Sequence, residues 1–160
     1  MCAEASLNAR YFYEQFRHRE ELLRAVYVRQ AWRVLDEVRA ALEAEEDPRR
    51  KLEAGLRTFV DTMLMDERGT RIVYREAVGV SPALEEERRR LTEEYVAVLS
   101  RESDRLDRLA SMPAEERREI MVALIGATDG LVSAWLAGER RRPPTTIVET
   151  LLTVFGPTLG

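Results

Sequence analysis

Three observations predict an all-α chain. Apolar residues recur three and four positions apart along most of the 160 residues, the spacing that gathers side chains on one face of a helix. No stretch alternates apolar and polar residues, and no Asn-Gly or Asp-Gly hairpin signal joins two such runs. Breaks fall instead at Asp47-Pro48, Ser81-Pro82 and Pro113, where a capping side chain or a proline suited to the first helical turn starts a new helix.

The elements follow in order. A short helix is expected at about 8–16, with Leu7, Phe12 and Phe16 on one face and Asn8, Arg10, Tyr11, Tyr13 and Gln15 elsewhere; Asn8 can cap it. A long helix over about 19–45 carries the apolar stripe Leu23, Tyr27, Ala31, Val34, Leu35, Val38 and Leu42. After Asp47-Pro48 a helix over 48–65 repeats Leu52, Leu56, Phe59, Val60 and Met63. A shorter segment, about 67–78, carries Ile72, Val73 and Tyr74 and stops near Gly79. Ser81-Pro82 opens a long helix running through Leu84, Leu91, Tyr95, Val98, Leu99 and Leu106, with Glu85 to Glu87 in its first turn as the helix dipole favours. The helix opened by Pro113 becomes apolar over most of its circumference from Ile120 to Leu136, and Gly138 with the Arg140–Pro144 run ends it. A last helix, about 145–155, offers Ile147, Val148, Leu151, Leu152 and Phe155.

Composition narrows the class. With 45% apolar and 34% charged residues the chain can bury one principal core and is neither disordered nor fibrous. The single cysteine, Cys2, forms no internal disulfide, Glu4 interrupts a signal-peptide pattern, and no apolar run is expected to reach bilayer-spanning length. A cytoplasmic protein with no membrane partner is the expectation. The net charge of −4 is uneven: residues 1–30 carry +1 and residues 31–160 carry −5, which permits a nucleic-acid-facing end on an acidic body.

Enzyme chemistry finds no support. His18 is the only histidine, which removes paired Glu-x-x-His ligands and leaves no zinc cluster, so no metal and no cofactor are expected. Cys2 lacks a second nearby histidine to act as base, no Gly-rich phosphate loop occurs, and the charge blocks Glu85–Arg90 and Glu115–Glu119 read as solvated helix faces.

The N-terminal pattern A-x-x-N-x-x-Y-F-Y-x-x-F-x-x-R-E-E-L-L over residues 5–23 resembles the recognition segment of the TetR (tetracycline-repressor-like) regulators. The resemblance implies a remnant helix-turn-helix at 1–18, with its recognition helix at about 8–16, followed by a helical effector-binding and dimerisation domain at 19–160. Asn8 stands where the family's capping Ser sits, Tyr11 where Thr is common, and Tyr13 on its phosphate-contacting Tyr; Gln15 replaces His, Arg19 replaces Lys and Ser6 replaces the turn Gly. By resemblance, Tyr11, Tyr13, Gln15 and Arg19 contact phosphates of double-stranded operator DNA while Ala9 and Arg10 approach bases. The family's first helix and most of its second have no counterpart before Met1, so this chain is expected to bind operator DNA weakly or not at all. Two explanations are open, a start codon assigned too far downstream or a chain that has lost its DNA-binding half.

The family's final two helices commonly form a four-helix dimer interface. A helix apolar on nearly all faces gives a separate physical reason for a homodimer, since it needs core on one side and a partner on the other. Residues 118–155 are the expected interface, with Leu131, Trp135, Ile147, Leu151, Leu152 and Phe155 as contacts; a monomer with a fully central helix is the alternative. The resemblance also implies a cavity for a small apolar or amphipathic effector. Candidate lining residues are Trp32, Phe59, Met63, Tyr74, Tyr95, Met121, Ile125 and Asp129, with ordinary core packing as the alternative for the apolar and aromatic members. Asp129 interrupts an apolar run, so its carboxylate must meet a partner, water or ligand. A ligand-responsive regulator, acting as a repressor, is the function implied; the alternative is a dimeric ligand-binding or protein-interaction module without DNA-binding activity.

Overall fold

The computed structural model describes residues 19–77, 79–138 and 143–159. These residues are helical, and no strand occurs among them. In chain order they form α1 (Arg19–Ala44), α2 (Pro48–Met65), α3 (Glu67–Arg71), a π-helical turn (Ile72–Glu76), α4 (Pro82–Ser103), α5 (Asp107–Ala110), α6 (Ala114–Leu136) and α7 (Thr145–Leu159). The fold class is therefore all-α, as the periodicity predicts.

The expected punctuation is realised by specific hydrogen bonds. The Asp47 carboxylate accepts from the Arg50 N–H at 2.9 Å, with Pro48 in the first turn of α2. The Ser81 hydroxyl accepts from the Leu84 N–H at 3.4 Å and Pro82 follows it. Asp66 caps α3 through the Gly69 N–H at 3.0 Å, and the buried Thr70 hydroxyl donates to the Met63 carbonyl, tying α3 back onto the end of α2. Gly79 and Gly138 both take positive φ, a conformation open to glycine without a side-chain clash.

Three boundaries depart from expectation. The segment predicted as one helix over 67–78 is α3 followed by the π turn, in which the Ala77 N–H donates to the Ile72 carbonyl. The helix predicted to run through Leu106 stops at Ser103, and buried Leu106 and Leu109 turn inward around α5 to meet Leu52 and Met121. The last helix continues past Phe155 to Leu159 with Pro157 inside it, and the Arg108 guanidinium donates to the Pro157 carbonyl at 2.5 Å.

Among the described residues the helices pack around four apolar centres, one of them formed by Leu52, Leu106, Leu109 and Met121. The α1 stripe is buried from Tyr27 to Leu42, with Val34, Val38 and Leu42 meeting Met63 of α2. Gly55 permits that approach, because a Cβ there would lie 2.9 Å from Leu42 Cδ2. Val60 of α2 packs with Leu124, Val132 and Leu136 of α6 and with Ile147, Val148 and Leu151 of α7. Tyr27 and Ala31 meet Ala77 and Leu84 beside the π turn. Ion pairs pin α4 to its neighbours: Arg39 to Glu94 at 2.8 Å, Arg118 to Glu93 at 2.6 Å, and the nearly buried Lys51 to Glu102 at 3.6 Å.

The α6 helix corrects one expectation, because by length and composition it is apolar enough to cross a membrane. One face, Met121, Leu124, Thr128, Val132 and Leu136, is buried against the rest of the chain. The opposite face leaves Val122, Ala123, Gly126, Gly130 and Ser133 exposed.

Candidate functional site

A cleft opens where α1, α2, α4 and α6 meet. It encloses about 50 Å³ and is lined by Val38, Leu52, Gly55, Leu56, Phe59, Tyr95, Leu99, Leu124, Ile125, Thr128 and Asp129. Helical spacing places the lining: Leu52, Leu56 and Phe59 share a face of α2, while Leu124, Ile125, Thr128 and Asp129 share a face of α6. Phe59 and Tyr95 meet edge to face, their ring centroids 5.7 Å apart at 86°. A second void of about 180 Å³ shares Leu52, Leu56 and Leu124 with the cleft and continues toward Arg49, Arg50, Leu151 and Leu152.

Polar chemistry at the cleft centres on Asp129. Its Oδ1 accepts a 2.5 Å hydrogen bond from the Tyr74 hydroxyl, delivered by the π turn. Burial pushes the Asp129 carboxyl above its ordinary range; the Tyr74 hydrogen bond and the positive charge of Arg88 oppose this without cancelling it. Burial likewise raises Tyr74 well above its usual value, and the charge of Asp129 adds to the shift. Tyr95 is raised by the same two causes, burial first. Tyr27 is pushed up to about 12, mainly by burial, with Arg88 working against it. Thr128, another polar lining residue, donates its hydroxyl to the Leu124 carbonyl at 2.7 Å. The result is a mostly apolar, aromatic-walled cleft with one carboxylate in its lining.

The structure brings together Phe59, Tyr95, Ile125 and Asp129 of the expected pocket, with Tyr74 behind them as the partner of Asp129. Three expected members lie elsewhere. Trp32 is half-buried with the Arg90 guanidinium 5.8 Å from its ring centroid. Met63 is packed into the α1–α2 core, and Met121 is fully buried against Leu52, Leu106 and Leu109. Spacing did not single out Gly55, Leu56, Leu99 or Thr128, because a stripe shows which face is inward and not which inward residues border a gap.

The expected dimer contacts divide. Ile147 and Leu151 are buried within the single chain and have no surface left for a partner, which corrects their assignment. Their burial follows from α7 packing on Val60 and Val132. Leu131, Trp135, Leu152 and Phe155 are half-buried. Val122 on α6 is 41% exposed and Val154 on α7 is 62% exposed, so the apolar surface facing outward is carried by residues that the sequence reading passed over.

Asn8, Ala9, Arg10, Tyr11, Tyr13 and Gln15, assigned to DNA by resemblance, lie outside the described residues, as does the side chain of Arg19 at the start of α1. No protein-family model matches the chain, and no curated protein is detectably similar to it.

Proposed function

We propose that the chain is a ligand-responsive transcriptional regulator of the TetR type, a cytoplasmic homodimeric repressor whose body binds a small effector. The observation that carries this reading is the resemblance of residues 5–23 to that family's recognition segment, whose last residues open a long helix, α1. The cleft beside Asp129 supports an effector site, and the outward apolar residues of α6 and α7 support a partner copy on that side.

The packing also supplies a route between the two functions. Tyr74 holds Asp129 at the cleft, and its neighbour Val73 packs against the α1 core next to Tyr27, Ala31, Val34 and Val38. A ligand that alters the Asp129 contact thus biases the π turn and, through it, the helix leading from the recognition segment. Such coupling is reciprocal: the effector weakens DNA binding by the factor by which DNA weakens effector binding.

A gel-shift titration tests the proposal, using DNA flanking the encoding gene, the 160-residue chain, and a form extended in frame at its N-terminus. The extended form is expected to give a specific, salt-sensitive complex and the shorter form a much weaker one. Failure of the extended form to prefer that DNA over random sequence would overturn the regulator reading and favour a ligand-binding or interaction module.

A further inference from the structure

The cleft's own chemistry narrows what it can hold. Its walls are aliphatic and aromatic, and of its three polar residues Thr128 has its hydroxyl proton committed to Leu124 while Tyr95 is a neutral phenol. Asp129 is different, because a carboxylate has two oxygens and about four acceptor positions, of which the Tyr74 hydroxyl takes one. A ligand entering here therefore meets an acceptor and a negative charge in an apolar setting. An anionic head group is repelled by that charge, and a cationic donor is favoured.

We infer that the cleft takes a compact hydrophobic amine, its protonated nitrogen donating to Asp129 and its hydrocarbon lying against Phe59, Tyr95 and Ile125. This rests on the reading of the cleft as the effector site. The ammonium supplies a direct ion pair, since the Tyr74 hydroxyl is a neutral donor, Arg88 pairs with Glu85 at 3.7 Å, and no ion pair to Asp129 occurs among the described residues. The rings of Phe59 and Tyr95 add faces that attract a cation.

Size sets the rest. The enclosed 50 Å³ admits only a small group, and a cavity of about 150 Å³ is the scale that holds a benzene-sized molecule. Half-buried Leu56 lines both the cleft and the neighbouring 180 Å³ void, which offers the hydrocarbon further space.

Titration calorimetry of the full chain with cyclohexylamine, butylamine, cyclohexanol and cyclohexanecarboxylate tests this. Both amines are expected to bind saturably, about tenfold or more tighter than the alcohol, with no binding of the carboxylate. Asp129→Asn is expected to weaken amine binding by about tenfold or more, while Tyr74→Phe, which leaves both Asp129 oxygens open to the ammonium, leaves it equal or tighter. Ile125→Trp, which fills the cleft and spares Asp129, should block the amines and serves as the second test where Asp129→Asn fails to fold. Equal affinity for amine and alcohol, or amine binding untouched by Asp129→Asn or Ile125→Trp, would overturn the inference. The two proposals fail separately: amine binding without any DNA-specific complex removes the regulator and keeps the amine site, whereas a DNA-specific complex with no amine binding removes the amine site alone.

Discussion

Burial raises the Asp129 carboxyl above its ordinary range, outweighing the Tyr74 hydrogen bond and the field of Arg88. A carboxyl raised in the folded state favours folding fully below its unfolded pKa of about 4, and that contribution is lost as pH rises through the folded value. Asp129→Asn, which keeps an acceptor for Tyr74 and carries no charge, should therefore gain in melting temperature over the parent between pH 4 and pH 7. A gap that does not widen with pH in thermal unfolding would contradict the burial of this carboxyl. Tyr74→Phe acts in the opposite sense, leaving the carboxylate without its donor, and is expected to cost about 1.5–3 kcal/mol at pH 7 in denaturant unfolding. The sequence made Asp129 conspicuous by setting a charge inside an apolar run. It did not disclose Tyr74 as the partner, since the two are 55 positions apart and are joined only by the packing of the π turn on α6.

Helix boundaries were legible wherever a local group sets them and illegible where packing does. Asp47 and Ser81 announce α2 and α4 because a cap acts over three residues. Nothing comparable marks the end of α4 at Ser103: the chain turns there because Leu106 and Leu109 reach the core only by leaving the helical path. The π turn is equally silent in sequence, since its widened register suits the fit of Tyr74 and Val73 to two different neighbours. At this scale the Lys51–Glu102 pair joining α2 to α4 makes a sharp test. Lys51 has only 9% of its side chain exposed, whereas Glu102 also reaches Arg105 at 3.3 Å. Glu102→Ala strands a buried ammonium and is expected to cost about 2–3 kcal/mol in equilibrium unfolding, with most of that loss recovered when Lys51→Met is added. A loss that persists in the double variant would show that Glu102 acts through packing and not through Lys51.

At the scale of the whole molecule, the outer faces of α6 and α7 leave large apolar side chains exposed. Val122 and Val154 project from them, and Ala123, Gly126 and Gly130 make the α6 surface flat enough for close approach of another helix. If a second copy covers this side, Val122→Arg combined with Val154→Arg should shift sedimentation from dimer to monomer while far-ultraviolet circular dichroism stays unchanged. Ile147→Ala should do something different. Its side chain is fully buried within one chain, so it is expected to lose about 2–5 kcal/mol of stability whatever the protein concentration. Association that survives both arginines would move the interface elsewhere.

Sequence alone determined the helical class, the inward stripe of α1 and two of the capped starts, because these depend on spacing and on contacts a few residues long. It also marked Asp129 as a charge set inside the apolar run of α6. Only the tertiary structure decided that Phe59, Tyr95, Ile125 and Asp129 border one cleft while Met63 and Met121 fill core. The same holds for Ile147 and Leu151, which face inward while Val122 and Val154 face out. Apolarity shows that a side chain avoids water; the rotation of each helix against its neighbours decides what covers it.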